Sequence, residues 1–325
     1  MLRIDRSTPL SVEAATELHD ALSRRQKELP ARWLAMLDAE TLADGGAPVT
    51  GHALEPVERT LGLALLRAHM GDARPRSVVC LHPSASAANA DLVAALCDRG
   101  CVTAIATAEL DATLATRILA RITPAGARQA SAAIACDWTV DLPLPGPFPR
   151  PRVYLALGNT LGRTTAVGAV RMLRVVRSTM NPGDHIILGL DARRHETAQS
   201  PAVAAVGADV TDFATAAARD FRALELVNAT VGAAFDPGRF EFRPTFDAEN
   251  CRLETHLVAR KALEVRIPGV CDVRFKKGES IRTSVSSTFD RTRVSAMLAG
   301  VGLTLRQWTT DPESRVVVAL ASPAA

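Results

Sequence analysis

Between Ser77 and Leu190 the chain alternates short apolar runs with stretches of helical period, and that spacing leaves few folds open. The runs are Ser77–Leu81 (SVVCL), Val102–Thr107 (VTAIAT), Ala132–Cys136, Arg152–Leu157 (RVYLAL) and His185–Leu190 (HIILGL). Helix-like segments over 87–98, 110–122 and 165–180 separate them. Short continuous apolar runs are the mark of strands buried on both faces. Alternated with helices at this spacing they make βαβ units, so the reading predicts an α/β fold with a parallel, doubly wound sheet. Ligands of such sheets bind beyond the carboxyl ends of the strands. A site is therefore expected in the loops after Leu81, Thr107, Cys136, Leu157 and Leu190.

The flanks read differently. Ser11–Glu28 and Pro56–His69 have helical, amphipathic patterns, and Asp44–Thr50 (DGGAPVT) reads as a loop. After about residue 198 a helical stretch, Val210–Val227, precedes segments that alternate like antiparallel strands with one wet face: Phe240–Pro244, Arg252–Arg260 and Leu263–Ile267. A helix over Val294–Ala299 and strands over Leu303–Thr309 and Val316–Ala321 then rejoin the first sheet. The expected division is a main domain from 61–197 and 287–325, with a smaller α+β domain from 1–60 and 198–286.

Composition narrows the function classes. A net charge of +3, from 38 basic and 35 acidic residues, is too small and too dispersed to favour nucleic acid or an anionic membrane as partner. No apolar run nears the roughly 18 residues of a membrane span, and the charged start, Met1–Arg6, does not resemble a secretory signal. A cytoplasmic protein is expected. The six cysteines (Cys80, Cys97, Cys101, Cys136, Cys251 and Cys271) form no CxxC pair, so buried free thiols and no metal site are expected. His82 beside Ser84 and Ser86 offers a histidine near two hydroxyls, but neighbours in one loop rarely present a base to a nucleophile. The basic run Arg274, Lys276 and Lys277 before Gly278 reads as a solvated hairpin.

An ordered series of segments resembles the histidine Nα-methyltransferase family of the ergothioneine pathway. Leu155–Arg163 (LALGNTLGR) is similar to that family's segment ending L-G-S-T-I-G-N, and Met180–Asp191 (MNPGDHIILGLD) to its PGD-x-LLLG-x-D strand. Phe240–Leu257, Thr283–Phe289 (TSVSSTF), Val301–Trp308 (VGLTLRQW) and Thr310–Pro312 follow in family order, and Cys136-Asp137-Trp138 resembles its C-D-F. The resemblance implies a Rossmann-like domain that binds S-adenosylmethionine (SAM), and a second, smaller α+β domain that closes over an amino-acid substrate.

Carried over position by position, the resemblance sets His82 and Ser84 at the family's two loop glycines and Ala88 at its lysine. It sets Ala106 at the acid that holds the ribose hydroxyls, with Glu109 three residues on as a substitute carboxylate. Asp137 and Trp138 fall beside the adenine, and Gly158 in the cleft; in the structural alternative, Asp137 caps a turn and Trp138 packs in the core. On the substrate side Arg163 stands at the family's loop Asn, Thr255 at its Met and Ser284 at its Glu, while the neighbouring Ser is kept as Ser286. Tyr154, the only tyrosine, lies in a strand and cannot replace the family's substrate-side tyrosines. Two readings follow. One is a diverged SAM-dependent methyltransferase acting on a small amino-acid-like or amine substrate in specialised metabolism, with Arg163 suited to an anion. The other is a pseudo-methyltransferase that keeps the fold and serves a protein partner.

Overall fold

The structure is a computed structural model that describes residues 2–5, 12–43, 55–69, 75–81, 87–98, 101–124, 130–146, 148–192, 210–270, 272–313 and 315–324. Along the chain come β1 (Leu2–Asp5), α1 (Val12–Ser23), β2 (Lys27–Glu28), α2 (Ala31–Ala43) and α3 (Glu55–His69). The alternating stretch follows: β3 (Ser77–Leu81), α4 (Ala87–Cys97), β4 (Ala104–Glu109), α5 (Ala112–Ile122), β5 (Ala130–Ala135), β6 (Arg152–Ala156), α6 (Ala166–Ser178) and β7 (His185–Asp191). Then come α7 (Val210–Val231), the hairpin β8 (Phe240–Asp247) and β9 (Arg252–Ala259), β10 (Leu263–Val265), β11 (Val273–Phe275) and β12 (Ser280–Ser287). The last elements are α8 (Arg291–Ala299), β13 (Leu303–Thr310) and β14 (Val316–Pro323).

Two compact units emerge, one from Met1–Arg6, Leu42–Arg194 and Ser287–Ala325, the other from Ser7–Thr41 and His195–Ser286. The first is an eight-stranded sheet in the order β1-β5-β4-β3-β6-β7-β14-β13. Strands β1 and β3 to β7 pair in parallel, whereas β14 runs antiparallel to both β7 and β13. Every residue of β3, β4, β6 and β14 is buried, as expected of strands covered on both faces. Helix α3 packs on α4 and β14 within this unit.

In the second unit β2-β12-β9-β8 form one sheet and β10-β11 a short ribbon. Helices α1, α2 and α7 supply Leu18, Leu22, Trp33, Leu37, Leu224 and Val227 to its core, which meet Phe240, Leu257 and Ile281 from the sheet. The helix expected over Ser11–Glu28 ends at Ser23, and Lys27–Glu28 pair with Ile281–Arg282 as a strand. Of the basic run, Arg274 lies within β11 and pairs with Glu264 of β10, while Lys276 and Lys277 are exposed on the turn before β12. Strands β11 and β12 belong to different sheets, so the turn does not close the hairpin that was expected.

Candidate functional site

Strand order reverses between β3 and β6, which are hydrogen-bonded neighbours leading to opposite halves of the sheet. The crevice at such a switch point, outside the carboxyl ends, is where open α/β sheets hold ligands. On the β6 side the chain leaves the strand through Gly158 (φ 68°) and Asn159 (φ 57°), both left-handed, into a 3-10 turn over Thr160–Arg163. Glycine adopts that conformation without the Cβ penalty, which explains Gly158 at the first of the two positions.

This corner is held by side chains rather than by strand pairing. Glu58 of α3 accepts the Gly158 N–H at 2.8 Å through Oε1. Asn159 donates from Nδ2 to the Ser287 carbonyl at 3.0 Å, and its Oδ1 accepts the Asp191 N–H at 3.2 Å. Arg163 Nε donates to the Gly158 carbonyl at 3.1 Å. The corner is thus tied to β7 and to the chain entering α8. Room for the Glu58 carboxylate exists because residue 189 is glycine: a Cβ there would stand 1.6 Å from Oε1. Glu58 is 4 % exposed. Sequence reasoning assigned it nothing. The available signal was an acid in register with Gly62, Leu65 and Leu66, the buried stripe of α3.

The second strand runs further than expected. It spans Ala104–Glu109 rather than Val102–Thr107, so Ala106 is mid-strand and Glu109 is the terminal residue, opposite Ala135 of β5. Glu109 thus stands at the carboxyl end of the strand, 1 % exposed. Asp137 follows β5 and spends Oδ1 on a turn, accepting from the Thr139 N–H at 2.9 Å and its hydroxyl at 2.7 Å. Trp138 is 8 % exposed and packs in the core cluster that includes Leu142 and Phe148. Both therefore have the structural duties weighed as alternatives. His82, Ser84 and Ser86 lie outside the described residues.

The second unit brings Thr255 and Ser284 together, with their hydroxyls 2.6 Å apart across β9 and β12. Ser286 lies two residues further along β12, half-buried. Nearby, Glu254 receives Arg282 at 2.7 Å, Arg252 at 2.8 Å and His256 at 3.0 Å. Burial pushes the Glu254 carboxyl up, but the His256 hydrogen bond and the charges of Arg282 and Arg252 outweigh it and hold the group at about 2. Among the described residues no three metal-capable side chains gather, and no helix is long and apolar enough to cross a membrane.

Comparison with known proteins gives these corners a family. Residues 112–323, well over half of the chain, match the family described as histidine-specific, SAM-dependent methyltransferases. The chain is 33% identical over 171 residues to a histidine N-alpha-methyltransferase of Mycolicibacterium smegmatis, covering 52% of this chain and 51% of that protein. It is 29% identical over 173 residues to the Mycobacterium tuberculosis enzyme of the same name, covering 53% and 52%. The chain thus spans about half the length of the curated relatives it matches. A solved SAM-dependent methyltransferase from Clostridium acetobutylicum is 9% identical, covering 82% of this chain and 92% of that one, with a TM-score of 0.46. On the family match, this chain belongs to the histidine-specific, SAM-dependent methyltransferase family.

Proposed function

We propose that this chain binds SAM and transfers its methyl group to the nitrogen of a small amino-acid-like amine. The observation that carries the reading is Glu109: a buried acid is the terminal residue of β4, three residues beyond Ala106, the position the resemblance sets for the ribose acid. Only a carboxylate accepts two hydroxyl hydrogen bonds side by side. The left-handed Gly158 corner fits as well, since it brings bare backbone to the crevice at the switch point. These described residues fit the cofactor.

When bound, SAM supplies a methyl group on a sulfonium, which leaves with its bonding pair remaining on sulfur. The chain's own task is positioning, since an in-line approach of the nitrogen lone pair supplies most of the required rate. The acceptor nitrogen enters as the free amine and releases one proton to water after the N–C bond forms. Glu109 would hold the ribose, and Glu58 fixes the Gly158 backbone that would line the cofactor's crevice. Arg163, held at Nε on the Gly158 carbonyl, supplies the cation that suits a substrate carboxylate. In the second unit Ser284 and Ser286 are the proposed substrate hydroxyls, with Thr255 buried behind Ser284.

Calorimetric titration with SAM and with S-adenosylhomocysteine tests this. Micromolar binding is expected, with Glu109→Gln weakening it by about 10- to 100-fold, the size of a lost charge-assisted contact. No heat from millimolar ligand in a folded wild-type protein would sink the proposal and turn the search toward a protein partner.

A further inference from the structure

The contact between Thr255 and Ser284 is one link of a longer chain of hydroxyls in the second unit. Thr283 hydrogen-bonds to Oδ2 of Asp220, a residue of α7 with no exposed surface, and Arg219 Nη2 donates to its Oδ1 at 3.2 Å. Thr283 Oγ1 is 2.7 Å from Thr255 Oγ1, which is 2.6 Å from Ser284 Oγ. Thr255 and Thr283 are 5 % and 4 % exposed, while Ser284 is half-buried, the end of the chain that a ligand can reach.

Each hydroxyl has one proton to give, and that count settles the direction. A carboxylate can only accept, so Thr283 donates to Asp220, and this charge-assisted bond outcompetes its other acceptor, the Thr255 carbonyl at 3.0 Å. With that proton used, Thr283 can only accept from Thr255. With the Thr255 proton used, Thr255 can only accept from Ser284. Ser284 therefore gives its proton inward and turns lone pairs outward. We propose that Asp220, acting through Thr283 and Thr255, fixes Ser284 as a hydrogen-bond acceptor, so that the substrate group it meets is an N–H donor, an amine or an azole N–H.

This rests on the methyl-transfer reading only in taking Ser284 as a substrate contact. Where the resemblance sets a glutamate, this chain has a neutral serine; the buried carboxylate three hydrogen bonds away restores the acceptor character without a charge at the surface. Such chains polarise in one direction, each bond strengthening the next. Asp220 is a positioning residue here, since it acts on the ligand only through the hydroxyls.

The test reads proton direction first and selectivity second. Neutron diffraction on deuterium-exchanged crystals is expected to place the deuterons of Ser284, Thr255 and Thr283 toward Thr255, Thr283 and Asp220 in turn. A Ser284 deuteron directed away from Thr255 overturns the proposal, whatever the protein methylates. In solution, with S-adenosylhomocysteine present, L-histidine is titrated against L-furylalanine, whose ring has no N–H. Wild type is expected to favour histidine by about tenfold, and Thr283→Val or Asp220→Asn to bring the ratio near unity with furylalanine affinity changed less than about twofold. If Asp220 were merely structural, both ligands would weaken alike and the ratio would stand, which refutes the relay. Should those two variants fail to fold, Ser284→Ala reads the same ratio from the half-buried end. Heat from neither ligand overturns the inferred ligand class together with the amino-acid reading, while the neutron map still decides the relay.

Discussion

Gly189→Ala puts the Glu58 corner to a quantitative test. The added Cβ would stand 1.6 Å from Glu58 Oε1 and 3.1 Å from the Leu157 Cα. The second approach can be absorbed by a small shift, at about 1 kcal/mol. The first cannot, so the carboxylate must leave. Its departure removes the charge-assisted bond to the Gly158 N–H and leaves that buried donor without the acceptor, which costs about 1.5–3 kcal/mol. After the roughly 0.5–1 kcal/mol that alanine normally gains over glycine inside a strand, Gly189→Ala should then destabilise by about 1.5–3.5 kcal/mol. Glu58→Ala alone should cost about 1.5–3 kcal/mol through the same orphaned N–H. In the Glu58→Ala background the carboxylate is already gone, so adding the alanine at 189 should cost only the residual approach to Leu157. A double-mutant cycle should therefore show a coupling of about 1.5–3 kcal/mol, the cost of the shared orphaned donor. Urea unfolding followed by circular dichroism, with midpoints compared at unchanged slope, measures it. Additivity of the two substitutions to within about 0.5 kcal/mol would refute the placement of Glu58 over Gly189.

Two further outcomes are expected. The Glu254 carboxyl lies at about 2 against its usual 4.5, so it stabilises the fold above the unfolded-state value, and that stability is lost as pH falls through the folded one. Unfolding free energy should drop by about 3 kcal/mol between roughly pH 5 and pH 2, and Glu254→Gln should flatten that limb of the profile; an unchanged slope would contradict the Arg252, Arg282 and His256 pairing. Asp111→Ala should cost about 1 kcal/mol, because Asp111 Oδ1 caps α5 by accepting the Leu114 N–H at 2.7 Å. A thermal melt that does not move would show that the cap carries no weight.

The central strands were legible because burial on both faces writes itself as unbroken apolar runs, and His185–Leu190 differs from the observed strand by one residue. Other elements left weaker marks. Apolar residues surround α2 rather than forming a stripe, so its sequence, ARWLAMLDAETLA, carries no clear helical period. The four residues of β1 are too few to alternate convincingly, and only pairing with Ala132–Ala135 defines them as a strand. At the site, the second strand ends two residues later than read from its apolar run, because Ala108 and Glu109 continue the ladder with Ile134 and Ala135. A carboxylate closing a buried strand contradicts the apolar pattern, and for that reason it points to function. Glu58 was invisible to motif reasoning for a different cause: its partner is 100 residues away, and only the fold brings them together. The hydroxyl chain is likewise non-local, since Asp220, Thr255 and Thr283 meet only once α7, β9 and β12 have assembled.

The antiparallel strand β14 has a consequence for how the first unit is made. It fills the slot between β7 and β13, pairing Val316 with Asp191 across a stretch of chain that includes most of the second unit. During synthesis the ribosome therefore delivers α7 and β8 to β12 before the strand that completes the main sheet exists. Until Val316–Pro323 emerges, β7 presents an open apolar edge, the kind of surface that recruits other chains. Closure comes last and from far away in sequence, which favours slow folding of this unit and gives chaperones a defined interval in which to act.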